Sequence, residues 1–315
     1  MIPTEPVVSG IGVVSPRGRT PSEMVEPPSP IGPEPWFDYR TELGRHGYKY
    51  FPPACHYLLA ATRRAVADSG CPAEDLPAAA AIGTNNAGSV WQSELDRTIV
   101  GADADELSPM TATFFSINLV AGQLAIEHEL TGFNLTFTSP RVAGVEALGF
   151  GSGALALGRT RWLLAGATEA RLDAAEPGAA ESEEGAAILV VEPAERVWAR
   201  GATAYGRCTV RSGFLPPDEV TAAGARTRLD TLFVGGVSSA ALPVVAVLDD
   251  SAVGAAVARA LAPEVEPVIA GPGCLEPLLR LAWCLAEGPP QSLLITAAST
   301  GNIAVAHVDR RQLSA

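Results

Sequence analysis

The sequence predicts an α/β protein built from two halves of unequal length. Three observations carry that prediction. Short β-branched or apolar runs alternate with segments whose apolar residues recur at helical spacing. The alternation runs densely through the first 195 residues and then starts again in a thinner second cycle. Hydrophobic residues make up 47% of the 315-residue chain against 18% charged, enough to build a core and the reverse of a disordered composition.

The elements follow in order. Val7–Val14 (VVSGIGVV) reads as a first strand leading into a loop. Arg17–Trp36 is rich in proline and glycine and is expected to be an irregular surface excursion. Cys55–Ser69 has apolar positions at helical spacing, and Gly70 and Pro72 supply its stop. Ala78–Gly83 is a short buried strand ending at a turn over Thr84–Gly88. Ile117–Leu130 carries a helical pattern closed by Thr131-Gly132, and Asn134–Thr138 (NLTFT) then alternates as a strand does. Val142–Leu157 is apolar or small on nearly every face, the pattern of a helix buried between layers. Arg161–Ala167 and Ala187–Glu192 read as further strands, and Arg207–Val210 opens another.

In the second cycle, strands are expected at Val244–Leu248, Ser292–Ala297 and Ile303–Val308, and helices at Ala252–Leu261 and Leu275–Ala286. Such alternation implies mostly parallel sheets. The boundary falls within Pro193–Tyr205, giving halves of 1–195 and 196–315.

Charge and cysteine usage narrow the function. The net charge is −13 and the pI about 4.8, which excludes a basic surface for nucleic acid and disfavours anionic lipid. No apolar run reaches membrane-spanning length, and the opening MIPTEPVVSGIG lacks the layout of a signal peptide, so a cytoplasmic protein is expected. The five cysteines (Cys55, Cys71, Cys208, Cys274, Cys284) are scattered without a CxxC pair and read as reduced thiols; no metal and no cofactor are expected. Lys49 is the only lysine, so none beyond the N-terminal region can act as a base or Schiff-base former.

Four segments, taken in order, resemble the β-ketoacyl synthases. They are Val7–Gly18 (VVSGIGVVSPRG), Ser108–Ile126 with Asn118, Ala121 and Gly122 at the matching positions, Gly132–Leu148 followed by Leu163–Ala170 (LLAGATEA), and Glu183–Glu192 (EEGAAILVVE). The likeness covers most of residues 5–205 and thins beyond them to Gly273–Gly288 and Thr300–Val308. It implies the thiolase fold: two similar α/β halves in an α-β-α-β-α layering, here with a shortened second half, and a dimer formed through the first half.

An active member of that family needs a thiolate at the start of the central helix and two histidines for decarboxylation and oxyanion support. Aligned on Gly144, the nucleophile position here is Arg141, within Ser139-Pro140-Arg141-Val142-Ala143-Gly144. Arginine cannot form a thioester, and a cation at the positive end of a helix is unfavourable by roughly 0.3–1 kcal/mol if exposed. Arg141 is therefore expected to pair with a carboxylate or carbonyl in the vacated pocket, the alternative being an arginine facing solvent. The histidines His46, His56, His128 and His307 lie outside the family's histidine motifs; His128 reads as an exposed helix end.

The resemblance therefore implies no catalytic residue and a role like that of a chain length factor in a type II polyketide synthase. Such a subunit pairs with an active ketosynthase, meets acyl carrier protein through that complex, and helps shape the tunnel for the growing chain. A divergent branch is implied by Arg141, where aromatic systems place glutamine, and by the short second half; polyene-forming systems are one such branch. Thr113, Phe114, Phe115 and Ile117 are expected beside the tunnel or interface, and Asn134, Leu135, Thr136, Phe137 and Thr138 as an edge strand that a partner covers. Two further readings stay open: a homodimeric acyltransferase or hydrolase using Ser139 or a cysteine such as Cys55 or Cys274, and an acyl-binding scaffold protein. The acidic surface is expected to repel acidic acyl carrier proteins, leaving docking mainly to the catalytic partner.

Overall fold

A computed structural model describes residues 4–26, 35–72, 78–107, 116–233 and 241–311. Its first part holds strands β1 (Pro6–Val14), β2 (Ala78–Gly83), β3 (Asn134–Phe137), β4 (Trp162–Glu169) and β5 (Gly185–Pro193), with helices α1 (Tyr39–Glu42), α2 (Pro53–Ser69), α3 (Ser89–Gly101), α4 (Leu119–Glu127) and α5 (Ala143–Ala156). The second part has α6 (Ala194–Ala199), β6 (Arg207–Phe214), α7 (Ala222–Leu232), β7 (Val244–Leu248), α8 (Ala252–Ala260), β8 (Val268–Ile269), α9 (Glu276–Ala286), β9 (Gln291–Ala297) and β10 (Asn302–Asp309).

The strands form two sheets, in the orders β1-β5-β4-β2-β3 and β6-β10-β9-β7-β8. Adding five to each strand of the first order gives the second, so the two sheets repeat one topology. Helices α5 and α9 pack against each other between the sheets, α2 and α4 cover the outside of the first sheet, and α7 and α8 cover the outside of the second. The result is a five-layered α-β-α-β-α arrangement of the thiolase type.

Each sheet is mixed, which corrects the expectation of mostly parallel pairing. β5 runs antiparallel to β1 and β4, and β10 antiparallel to β6 and β9; β2 is parallel to β3 and β4, and β7 to β8 and β9. The parallel strands are joined through helices, whereas β4–β5 and β9–β10 are joined directly, and antiparallel neighbours need no crossover.

Three apolar cores fill the layers. The central one joins Val145 and Leu148 of α5 to Leu278 and Leu281 of α9; the outer two lie under α2 with α4 and under α7 with α8. The described start of the 17–36 excursion, residues 17–26, is more anchored than its composition implies. It contains a short 3-10 turn over Ser22–Val25 whose Met24 is wholly buried in the central core. The burial expected all round the 142–157 helix holds for its first part only. Phe150 is 52% and Leu157 68% exposed, and Phe150 stacks edge-on against Phe133 at 6.1 Å.

Helices α3 and α7 have no counterpart in the sequence reading. α3 buries only Leu95, so it shows no apolar stripe. α7 buries Ala225, Leu229 and Leu232 among polar and small residues, a stripe too thin to stand out.

Candidate functional site

The turn between β3 and α5 lies where the two central helices converge. Gly83 ends β2 directly beneath it, and a Cβ there would come within 2.3 Å of the Gly144 nitrogen. On Gly144 a Cβ would meet Leu278 of α9 at 2.5 Å. Both glycines are needed because backbone and helix approach this closely.

Arg141 occupies the apex of the turn with φ +60°, a left-handed conformation that costs a non-glycine residue about 1–3 kcal/mol unless its surroundings hold it. They do hold it. Its backbone N–H donates to Asn85 Oδ1 at 3.1 Å, and Asn85 Nδ2 in turn donates to the Thr138 carbonyl at 3.0 Å. The side chain is only 6% exposed. Its Nη2 donates to the carbonyls of Gly271 at 2.8 Å and Ala270 at 3.2 Å, and Nη1 lies 3.6 Å from Glu183 Oε1. The guanidinium thus faces both a carboxylate and carbonyl oxygens inside the fold.

Two buried carboxylates organise the opposite wall. Glu169, at the end of β4, accepts from the N–H groups of Asn85 at 2.8 Å, Asn86 at 2.6 Å and Cys274 at 2.9 Å. Glu183 accepts from the N–H groups of Leu275 at 2.5 Å and Glu276 at 3.0 Å. Together they cap the amides leading into α9, where a negative charge is favoured. Burial raises the pKa of Glu169, while hydrogen bonds from the Cys274 thiol and from backbone N–H groups oppose it. Burial pushes Glu183 up to about 8 against the pull of the Arg141 guanidinium. Glu276 is tied to Arg17 at 2.8 Å and to Arg280 at 2.8 Å, so acids and guanidiniums alternate through the interior. Sequence reasoning missed Glu169, Glu183, Glu276 and Arg17 as parts of the site. Glu169 and Glu183 lie in LLAGATEA and EEGAAILVVE, where a carboxylate next to a buried strand was the available signal.

No thiol here is poised to become a thiolate. Burial raises the pKa of Cys55, Cys71 and Cys208 to about 12 and of Cys284 to about 11. Cys274 is raised further, by burial and by Glu169 beside it. Ser139 is half-buried at the turn, and among the described residues no histidine hydrogen-bonds to it. His56 bonds the Tyr48 carbonyl at 2.7 Å and stacks on Tyr39, while His307 lies beside Gln291 in β10. His128 is half-buried, not an exposed helix end, and burial lowers its pKa. Among the described residues no group of three or more His, Cys, Asp or Glu could hold a metal ion.

The other singled-out residues scatter around this turn. Thr113, Phe114 and Phe115 lie outside the described residues. Ile117 is 42% exposed and borders a small cavity of about 90 Å³ with Pro52, Trp91 and Val120. Asn134, Leu135, Thr136 and Phe137 form β3, which among the described residues pairs with β2 alone and has its other edge uncovered. Asn134 Nδ2 donates to the Ala121 carbonyl at 2.9 Å. Thr138 joins Arg141, Asn85 and Asn86 around a cleft of about 810 Å³. The structure thus brings Thr138 and Arg141 together and sets Ile117 apart, although Asn85 borders both spaces.

A tight turn opening a central helix between two sheets of one repeated topology is the arrangement of the thiolase-like fold. Residues 43–194 match the family model of the β-ketoacyl synthase N-terminal domain. It is 28% identical over 185 residues to 3-oxoacyl-[acyl-carrier-protein] synthase 2 of Rhizobium meliloti (strain 1021), a match covering 49% of this chain and 44% of that protein. The chain therefore spans less than half the length of this curated relative.

Solved structures share the fold over nearly the whole chain. The ishigamide ketosynthase/chain length factor superposes with a TM-score of 0.74 at 22% identity, covering 97% of this chain and 99% of that one. A type II polyketide synthase acyl carrier protein in complex with its ketosynthase bound to the hexaketide gives 0.75 at 15% identity, with coverage of 97% and 99%. A β-ketoacyl synthase from Burkholderia phymatum STM815 gives 0.70 at 14%, with coverage of 98% and 100%. Among the described residues no helix is long and apolar enough to cross a membrane.

Proposed function

We propose that this chain is a non-catalytic subunit that pairs with an active ketosynthase, in the manner of a chain length factor, and limits the space in which the partner's acyl chain grows. The observation that carries this reading is Arg141. A buried guanidinium fills the turn where the family needs a thiolate, and it is bound to two carbonyls and faced by Glu183. The N–H groups leading into α9, which could otherwise meet an anion, are already occupied by Glu169 and Glu183.

A partner is supported by the free edge of β3. Open strand edges invite pairing. The exposed Phe150 packs on Phe137 of this strand at 5.7 Å. Acyl carrier protein would reach the complex through the ketosynthase.

Co-expression tests the proposal. The chain should co-purify with a ketosynthase carrying intact cysteine and histidine motifs, and only the pair should elongate acyl thioesters. Elongation by this chain alone, free of any companion, would overturn the reading.

A further inference from the structure

Two clefts meet behind the Arg141 turn. The larger, about 810 Å³, is bordered by Asn85, Pro140, Arg141 and Gly273. The smaller, about 360 Å³, is bordered by Arg17, Glu183, Leu275 and Leu279. Glu181, Ile269, Ala270 and Gly271 line both, so the 269–271 strip, backed by Glu181, forms the wall between them.

That strip is anchored at its downstream end by the Pro272 carbonyl, which accepts from Glu183 N and Asn86 Nδ2, each at 3.1 Å. β8, its upstream end, is two residues long, and Ala270 N donates to the Leu248 carbonyl at 2.8 Å. Beyond that point the carbonyls of Ala270 and Gly271 hang on Arg141 Nη2. An arginine placed only to neutralise Glu183 would meet it in a two-bond fork at about 2.7–2.9 Å. Here the approach is 3.6 Å, and Arg141 Nε and Nη1 and Glu183 Oε1 make no hydrogen bond among the described residues. The short bonds of this side chain go to the wall.

We infer that Arg141 is a bolt that fixes the 269–271 strip and keeps the two clefts separate, making it a size-determining residue for an acyl chain entering from this side. The smaller cleft has a mixed lining, with Val268, Ile269, Leu275 and Leu279 beside charged residues that include Arg17, Arg171 and Glu276. The size-determining role rests on the reading of this chain as a subunit that limits chain growth. The bolt itself does not.

Cys274 reports on the wall. It sits between Gly273, which faces the larger cleft, and Leu275, which faces the smaller, and is fully buried. Cys55, equally buried in α2 on the outer side of the first sheet, reports on the fold as a whole. The full-length chain is treated with N-ethylmaleimide and mapped by peptide mass spectrometry. Both thiols should be protected in the parent. Arg141→Ala should raise the Cys274 rate at least about ten-fold, with Cys55 unchanged. If Cys274 stays protected in that variant, the wall stands without the bolt and the inference fails. If both thiols become reactive together, Arg141 is a strut for the whole fold and the inference also fails. Should the alanine variant not accumulate, Arg141→Gln gives the same contrast at smaller size, and a Cys274 rate equal to the parent's overturns the inference. Co-purification with a ketosynthase is scored separately, so failure of the bolt and failure of the pairing are told apart.

Discussion

In the first half, β2 stops at Gly83 and the backbone of α5 presses directly onto it; in the second, the equivalent strand β7 stops at Leu248, a fully buried side chain. The strand orders repeat, but the helix starts do not. The first half brings its helix backbone against the sheet and puts a strained arginine at the apex. The second half offers amides and carbonyls, which carboxylates and a guanidinium from the first half satisfy. The difference shows how two sheets of one topology can differ at a helix start, where the Arg141 turn ties the two halves together.

The largest expected effect tests the close approach unique to the first half. In Gly83→Val the added side chain meets the backbone of Ala143 and Gly144, which has no room to retreat. Overpacking against backbone should destabilise by about 3 kcal/mol or more, and soluble folded protein should fall sharply. A near-normal melting temperature would show that the two halves do not differ in the way described. Leu248→Ala probes the equivalent position in the second half. Because a side chain fills the space there, truncation should leave a cavity and lower stability by about 2–5 kcal/mol in urea unfolding.

Glu183 gives a pH-dependent contrast. Its carboxyl is raised from the ordinary 4.5 to about 8 in the folded chain, so the folded state binds that proton more tightly than the unfolded one. The resulting stabilisation is complete below about pH 4.5 and is lost as pH rises through about 8. Denaturation midpoints of the parent and Glu183→Gln, compared across that range, should differ in slope, the parent losing more stability. Parallel curves would remove Glu183 from the account. The smallest effect is expected on the outer layer of the second half, where Thr221 Oγ1 accepts from Gly224 N at 3.1 Å and caps α7. Thr221→Ala should lower stability by about 1 kcal/mol and leave pairing with a ketosynthase unchanged.

Much of the fold was legible because its strands are buried apolar runs. Ala78–Gly83 and Val244–Leu248 match the strands residue for residue, and Val142–Leu157 brackets α5 within a residue at each end. The antiparallel pairings were not legible, since an apolar run buried on both faces does not record strand direction. At the site, the resemblance carried by Ser139–Gly144 pointed to Arg141, which the structure places at the apex of the turn. Its partners could not be read there: Ala270 and Gly271 contribute only backbone carbonyls, and Glu183 is 42 positions away along the chain. Backbone acceptors leave no mark on residue identity, so the turn that holds the guanidinium emerges only from the fold.

The central claim is that the turn at Arg141 carries no acyl group. The direct measurement is intact-mass spectrometry of the chain and its ketosynthase partner after incubation with an acylated carrier protein. An acyl adduct is expected on the ketosynthase alone, with this chain at its unmodified mass. A covalent acyl adduct on this chain, at Ser139 or at any cysteine, would contradict it.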